Sequence, residues 1–180
     1  MYHKIKNITF EEKPAQVYYL KMNTYQAKEV QISAGIEFKK LEQPIQLEEY
    51  QDIIYAIGYE WNWLDRLIMP DEELDKRVNN PYTEIYLMHK DNRRCGFAEF
   101  VKKNDFVEIQ YFGLFPEFIG KGLGKFFLNW CIYKAWLYQP EWVQLNTCSL
   151  DHESALGVYQ SLGFDIEKEI TEIRKIVPKN

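Results

Sequence analysis

The chain has 180 residues, 46% of them apolar and 16% aromatic, with a formal net charge of −5. That length suits one domain, with a single core burying about 70% of the unfolded surface, and the composition excludes a disordered chain. The acidic balance argues against a nucleic-acid partner, which calls for a basic face, and leaves room for cationic or amine-bearing partners.

The opening MYHKIKNITFEEK has no apolar h-region, so no signal peptide is expected. No run approaches the ~18 apolar residues of a membrane span, so the expected place of work is cytoplasmic, without a membrane partner. Cys95, Cys131 and Cys148 are odd in number and lie in apolar segments, as buried thiols do in a reducing compartment. With His3, His89 and His152 scattered, no metal-ligand spacing appears and no metal is expected.

In chain order, residues 4–10 and 16–22 read as two strands around a turn at Pro14, and residues 30–38 as a third. From Leu47 the period changes: Tyr50, Ile53, Ile54 and Ile57 share one helical face, and Gly58 is a stop. The aromatic run YEWNWLDRLIMP follows, then a short helix over 71–78. Strands at 83–89, 94–101 and 106–115 form a meander, with turns at Asp91-Asn92 and Lys103-Asn104-Asp105. A helix over 122–138 and a strand at 143–149 complete a right-handed crossover, which makes 106–115 and 143–149 parallel. A helix over 152–162 ends at Gly163, and strands 164–169 and 171–176 read as a closing hairpin.

The chemistry concentrates at the start of the 122–138 helix, where Gly120, Gly122 and Gly124 alternate with Lys121 and Leu123 and precede Lys125. Glycine permits φ > 0 and close approach of a ligand to the backbone. The unpaired first-turn N–H groups of a helix favour an anion such as pyrophosphate. Two better-known phosphate loops are excluded. A Walker loop needs glycine at Ile119 and Ser or Thr at Phe126, and the dinucleotide fingerprint needs glycine at Lys125. Taken alone, the motif reads equally as a tight turn with no ligand.

Two motifs in order carry a resemblance. FGLFPEFIGKGLGK, followed about 27 residues on by LDHESALGVYQSLGF, resembles the GNAT superfamily of acetyl-CoA-dependent N-acetyltransferases. The first motif is similar to its Gln/Arg-x-x-Gly-x-Gly/Ala pyrophosphate loop, with Gly122 and Gly124 matching and Ile119 in the polar first place. The second is similar to its Asn-x-x-Ala-x-x-x-Tyr-x-x-x-Gly-Phe signature, with Ala155, Tyr159, Gly163 and Phe164 matching and His152 in the Asn place. The resemblance runs from about Glu84 to Phe164 and leaves residues 1–45 unaccounted for.

It implies one α/β (α+β) domain over 1–180, with a mixed, mostly antiparallel sheet, one parallel splayed strand pair and flanking helices. Residues 1–80 would form the acceptor side and 81–180 the acetyl-CoA-binding core. Acetyl-CoA would be the co-substrate, bound by Ile119, Gly120, Lys121, Gly122, Leu123, Gly124 and Lys125, by the main chain of Leu114 and Phe115, and by Asn146, with His152 as a further contact. Tyr159 would be the general acid; as a bare residue it reads equally as part of a core stripe with Ala155, Leu156 and Leu162.

Glu108 is the candidate base, at the spacing where some family members place a glutamate. Strand alternation sets Glu108 and Gln110 opposite Val107, Ile109 and Tyr111, and the plain alternative is a solvated strand glutamate. Glu99 on the neighbouring strand is the second choice. On the acceptor side, Glu60, Trp61 and Trp63, with Asp65 and Arg66 beside them, either hold a cation or form a satellite core.

The expected function is acetyl transfer from acetyl-CoA to a primary amine by direct attack in a ternary complex. The preferred acceptor is a small cationic metabolite, with a protein lysine or N-terminal amine as the other acceptor. The competing class is a non-catalytic sensor that binds CoA or a nucleotide. A homodimer is compatible with either. Cys148, an apolar strand thiol, is expected to be inert.

Overall fold

A computed structural model describes residues 10–25 and 30–178. Its strands are β1 (Glu11–Met22), β2 (Ile36–Lys40), β3 (Thr83–Lys90), β4 (Arg93–Lys102), β5 (Phe106–Leu114), β6 (Trp142–Cys148) and β7 (Asp165–Ile176). They form one seven-stranded sheet in the order β2-β3-β4-β5-β6-β1-β7. Every neighbouring pair is antiparallel except β5–β6, which is parallel. This is the expected mixed α/β sheet, with its one parallel pair.

The meander forms where local turn chemistry demands it. Asp91 and Asn92 both adopt positive φ, 49° and 63°, the conformation of a two-residue hairpin turn whose twist matches the strands. Alternate residues of β3 and β4 then feed two cores. Ile85, Leu87 and Phe97 pack with Tyr50, Ile53, Ile54 and Ile57 of α1 (Leu47–Gly58), with Leu67 of α2 (Asp65–Ile68) and with Leu74 and Val78 of α3 (Asp71–Val78). Met88, Ala98 and Phe100 pack with Phe127, Leu128, Cys131 and Ala135 of α4 (Leu123–Trp136). Trp130 of α4 also stacks on Phe38 of β2, with ring centroids 3.9 Å apart. The last helix, α5 (Ala155–Ser161), lies on the α4 side, where Leu156, Val158 and Tyr159 pack against that core.

The helices expected from Leu47 and over 71–78 stand. The strand read at 30–38 is β2 at Ile36–Lys40, and the helix read from 152 starts at Ala155. Of the strand expected over 4–10, all but Phe10 lies outside the described residues.

Two expectations fail. There is no turn at Pro14: β1 runs through it, at a point where β1 pairs with β7 alone (Pro14 opposite Ile173), because β6 joins only from Val17. A proline is tolerated in such a one-sided stretch because its missing N–H need break no ladder bond. There is also no closing hairpin. Residues 165–176 are one continuous strand, and its partner is β1 from the other end of the chain. β1 thereby fills the place between β6 and β7, which accounts for part of the stretch that the motif resemblance left open.

No helix among the described residues is long and apolar enough to cross a membrane. Away from the cleft described below, a polar cluster ties β2, β3 and β4 to the end of α4. Glu84 accepts hydrogen bonds from Tyr138 (2.6 Å), Lys102 (2.8 Å) and Tyr86 (3.0 Å) and lies 3.3 Å from Lys40. Burial alone would raise its pKa, but the bonds from Lys102, Tyr138 and Tyr86 outweigh that and hold the carboxyl at about 2. A carboxylate depressed on folding stabilises the fold fully above its unfolded pKa, and that contribution is lost as pH falls through the folded value. Melting temperature should therefore fall between pH 4.5 and 2; Glu84→Gln should flatten that acid limb and lower the melting temperature at pH 7.

Candidate active site

The site begins with a break in pairing. β5 and β6 are in register at only three positions, Phe106–Trp142, Val107–Val143 and Glu108–Gln144, and beyond them the strands part. The cause lies in β5. Phe100 pairs with Ile109 and Glu99 with Tyr111, so Gln110 is an extra residue without a partner on β4, a β-bulge.

A bulge reverses the alternation of every side chain after it. Val107 and Ile109 face the α4 core, but so do Phe112 and Leu114, whereas Tyr111 belongs to the core under α1. The expected grouping of Tyr111 with Val107 and Ile109 is therefore wrong, and Glu108 and Tyr111 share the α1 face. The main-chain assignment shifts as well. The Phe115 N–H donates to the Cys95 carbonyl at 3.1 Å, so it is not free for a ligand. In an antiparallel ladder the intervening residues point the other way, which turns the N–H and C=O of Leu114 and Phe112 toward the gap. The main-chain groups that face the gap are therefore those of Leu114 and Phe112, and not that of Phe115.

The gap is a cleft of about 650 Å³. It brings together the expected residues Glu108, Leu114, Ile119, Gly120, Gly124, Lys125, Asn146, Tyr159, Trp61 and Trp63, together with His152. At the glycine turn, Gly120 and Gly122 have φ of 77° and 74°, and a Cβ on either would meet nothing within 4 Å. Their glycine identity follows from the left-handed backbone, and the space beside them is open. Gly122 caps α4 with no side-chain hydrogen bond to the first turn, which leaves first-turn amides to an external acceptor.

Five expected residues besides Phe115 do not line the cleft. Gly122 shapes the turn, Leu123 is buried beneath it, and Lys121 points outward over the Phe118 ring at 5.3 Å. Glu60 is exposed to solvent away from the cleft. Glu99 is fully buried and held by Tyr50 (2.6 Å) and Arg66 (2.9 Å), so it is a structural counter-ion out of reach of a substrate.

Burial raises the Glu108 carboxyl above the ordinary carboxylate range, against the opposing pull of Lys103 and of the Gln144 and Asn146 amides. Burial, with Asp151 nearby, pushes the Tyr159 phenol well above its usual range, so it is a protonated donor at neutral pH. Burial and Asp151 likewise raise the Cys148 thiol, which disfavours a thiolate there.

The tryptophans hold the roof of the cleft. The Trp63 indole N–H donates to Asp151 at 3.0 Å, and Asp151 also accepts from Thr147 Oγ1 and the Cys148 N–H, both at 2.8 Å. Trp61 packs on His152 with ring centroids 5.4 Å apart. The segment before α2 is thus fastened to the segment between β6 and α5.

Sequence reasoning missed a polar floor on the same face. Tyr19 of β1, in register with Asn146, donates its hydroxyl to Glu172 at 3.0 Å. Arg174 of β7 holds Glu172 at 2.8 Å and lies 3.7 Å from Asp65. Tyr19, Asp65 and Arg174 line the cleft. Of these, Asp65 is among the residues that the sequence sets beside the tryptophans, whereas Tyr19 and Arg174 carry no local signal, because β1 and β7 pair across the length of the chain.

Comparison with known proteins agrees with this geometry. Residues 81–166 match the family model described as Acetyltransferase (GNAT) domain, so this stretch of the chain is a GNAT-type domain. A GNAT-family protein of Novosphingobium aromaticivorans DSM 12444 superposes with a TM-score of 0.62 at 18% identity, over 94% of this chain and 68% of that one. A GCN5-related N-acetyltransferase from Sphaerobacter thermophilus gives 0.62 at 12% identity, over 93% and 54%. An aminoglycoside acetyltransferase from an uncultured soil metagenomic sample gives 0.56 at 15% identity, over 79% and 96%. At these identities the likeness is one of fold. The chain spans about two thirds of the length of the first of these proteins and about half of the second. No curated protein matches it.

The roof depends on two glycines. A Cβ at Gly113 would fall 2.5 Å from Ile57, and one at Gly58 would fall 2.5 Å from Trp63. Gly113→Val should therefore force α1 and Trp63 off β5. Overpacking of this kind costs about 1–3 kcal/mol, or roughly 2–4 °C of melting temperature per kcal/mol in a chain of this size. A thermal melt checks it; an unchanged melting temperature would show that the contact is dispensable.

Proposed function

We propose that this protein transfers an acetyl group from acetyl-CoA to a primary amine, by direct attack while both substrates are bound. The observation that carries the reading is one cleft lined at once by the glycine turn, by Glu108 and by Tyr159. Acetyl-CoA, the co-substrate of the family, supplies an activated thioester. Its pyrophosphate suits the open glycine turn and the uncapped first turn of α4, with Lys125 beside them. The main chains of Phe112 and Leu114 suit the pantetheine arm, with Asn146 as a side-chain contact. A main-chain N–H there also stabilises charge that grows on a carbonyl oxygen during attack.

The amine must be neutral to react. An alkylamine of pKa about 10.4 is ~0.04% neutral at pH 7, a handicap of roughly 4.6 kcal/mol. Glu108 serves as the base that removes the ammonium proton, directly or through water, and such bases contribute about 10²–10⁴-fold. Its raised pKa brings it nearer the working pH, where a base is most effective. Tyr159, held protonated, donates to the departing thiolate. The acidic acceptor end favours a small cationic amine over a protein acceptor.

Thermal-shift titration with acetyl-CoA tests the binding half, and thiol release over a panel of amines tests turnover. Binding without release from any amine would make the protein a CoA-binding module instead. Glu108→Gln should lower kcat by about 10²–10⁴-fold at neutral pH. In the wild type, kcat/KM should fall as pH drops through the raised Glu108 pKa, above the ordinary carboxylate range; Glu108→Gln should abolish that limb. Tyr159→Phe should lower kcat with little change in KM for acetyl-CoA. If each variant kept its rate within twofold, these roles would be wrong.

A further inference from the structure

The acceptor end of the cleft carries more negative charge than a single reacting amine calls for. Its lining carboxylates are Asp65, Glu108 and Asp151, and its lining guanidinium is Arg174. Three of these four are already engaged. Arg174 is neutralised by Glu172 at 2.8 Å. Asp151 holds the roof through Trp63, Thr147 and the Cys148 N–H. Glu108 is the base candidate.

Asp65 is the exception. Its side chain is 61% exposed, and its contact to Arg174 is 3.7 Å, well beyond the ~2.7–2.9 Å of a charge-assisted hydrogen bond. It also stands at a junction. A second cleft of about 440 Å³ abuts the first, and Asp65, Gln110 and Tyr111 line both. Beyond the junction the charges are balanced or positive: Glu73 is paired with Arg77 at 2.7 Å, Arg66 is paired with Glu99, and Lys175 adds a cation. The surplus of negative charge is therefore local to Asp65. Trp61 and Tyr111 line the same end and offer aromatic surface to a methylene chain or a cation.

We infer that Asp65 is the seat for a second ammonium group, so that the preferred acceptor is a diamine or polyamine with its reacting amine at Glu108. The inference rests on the proposed acetyl transfer and names its substrate class. Arg174, held by Glu172, is the positioning residue: it keeps Asp65 turned to the junction and yields its long contact to the incoming ammonium. An amine bearing a carboxylate would instead meet Asp65, Glu108 and Asp151 with only one guanidinium in its favour.

The test is calorimetric titration of the CoA-saturated protein with 1,4-diaminobutane, n-butylamine and 4-aminobutyrate. The diamine should bind at least tenfold tighter than butylamine, and 4-aminobutyrate should bind weakest. Asp65→Asn should bring the ratio of diamine to butylamine affinity to near one, and Asp65→Glu should restore most of it. The preference should also shrink as salt is raised. The kcat/KM ratio of the same amines, read by thiol release, should move in parallel. Equal affinities in the wild type, or an undiminished ratio in Asp65→Asn, overturn the seat; neither reading needs more than the folded wild type and one variant. Tightest binding by 4-aminobutyrate also overturns it and assigns the end of the cleft to Arg174. If CoA binds and no amine does, the seat falls while the CoA site stands; if CoA does not bind, the acetyl-transfer reading falls with it.

Discussion

One extra residue in one strand underlies most of this molecule. Without the bulge at Gln110, β5 and β6 would stay paired beyond Glu108, and the sheet would have no opening. With it, the ladder stops after three positions. The main-chain groups of Phe112 and Leu114 then lack a protein partner on that side, and buried backbone groups need one. A ligand arm that supplies the missing partners recovers that free energy only when bound. The same bulge reverses the strand's alternation, so that Glu108, before it, and Tyr111, after it, share one face.

An opened sheet has to be held open and yet not come apart. β1 contributes to the second requirement. It pairs with β7 along nearly its whole length and with β6 over six positions, so the far side of the split is a continuous three-stranded unit. The roof contributes to the first. Asp151 binds the Trp63 indole on one side of the gap and Thr147 and Cys148 on the other, and so fixes how far the strands part. The glycine at 113 is what lets α1 lie close enough for this, since any side chain there would collide with Ile57.

Legibility in the sequence followed the range of the interactions. The helix from Leu47, the helix at Asp71–Val78 and the β3–β4–β5 meander are set by local periodicity and turn residues, and they were readable. The glycine turn was readable because positive φ and helix starts have local signatures. The 16–22 part of β1 was readable too, but its run through Pro14 was not, because Pro14 looks like a turn until one knows that its neighbour strand starts at Val17. The continuity of β7 was hidden for the same reason: its partner lies some 150 residues away. The bulge has no signature either, and its position decided three site assignments: the facing of Tyr111, the loss of Phe115 and the gain of Phe112. Tyr19, Glu172 and Arg174 could not be found until β1 had been placed beside β6 and β7 beside β1.

Two glutamates on neighbouring strands show how environment separates a carboxyl held by the fold from one that is open to the cleft. Glu99 and Glu108 lie on β4 and β5, and both face the α1 side of the sheet. Glu99 is enclosed by Tyr50 and Arg66 at hydrogen-bond distance, although burial still outweighs them and raises its carboxyl. Breaking such a pair leaves an uncompensated buried charge, at a cost of about 3–5 kcal/mol, which ties Glu99 to the fold. Glu108 is also largely buried, opposed by Lys103, by the Gln144 and Asn146 amides and by Arg66. Burial raises both carboxyls, but only Glu108 faces the cleft. Exchanging these environments would leave the composition of the sheet unchanged and take the Glu108 carboxyl out of the cleft.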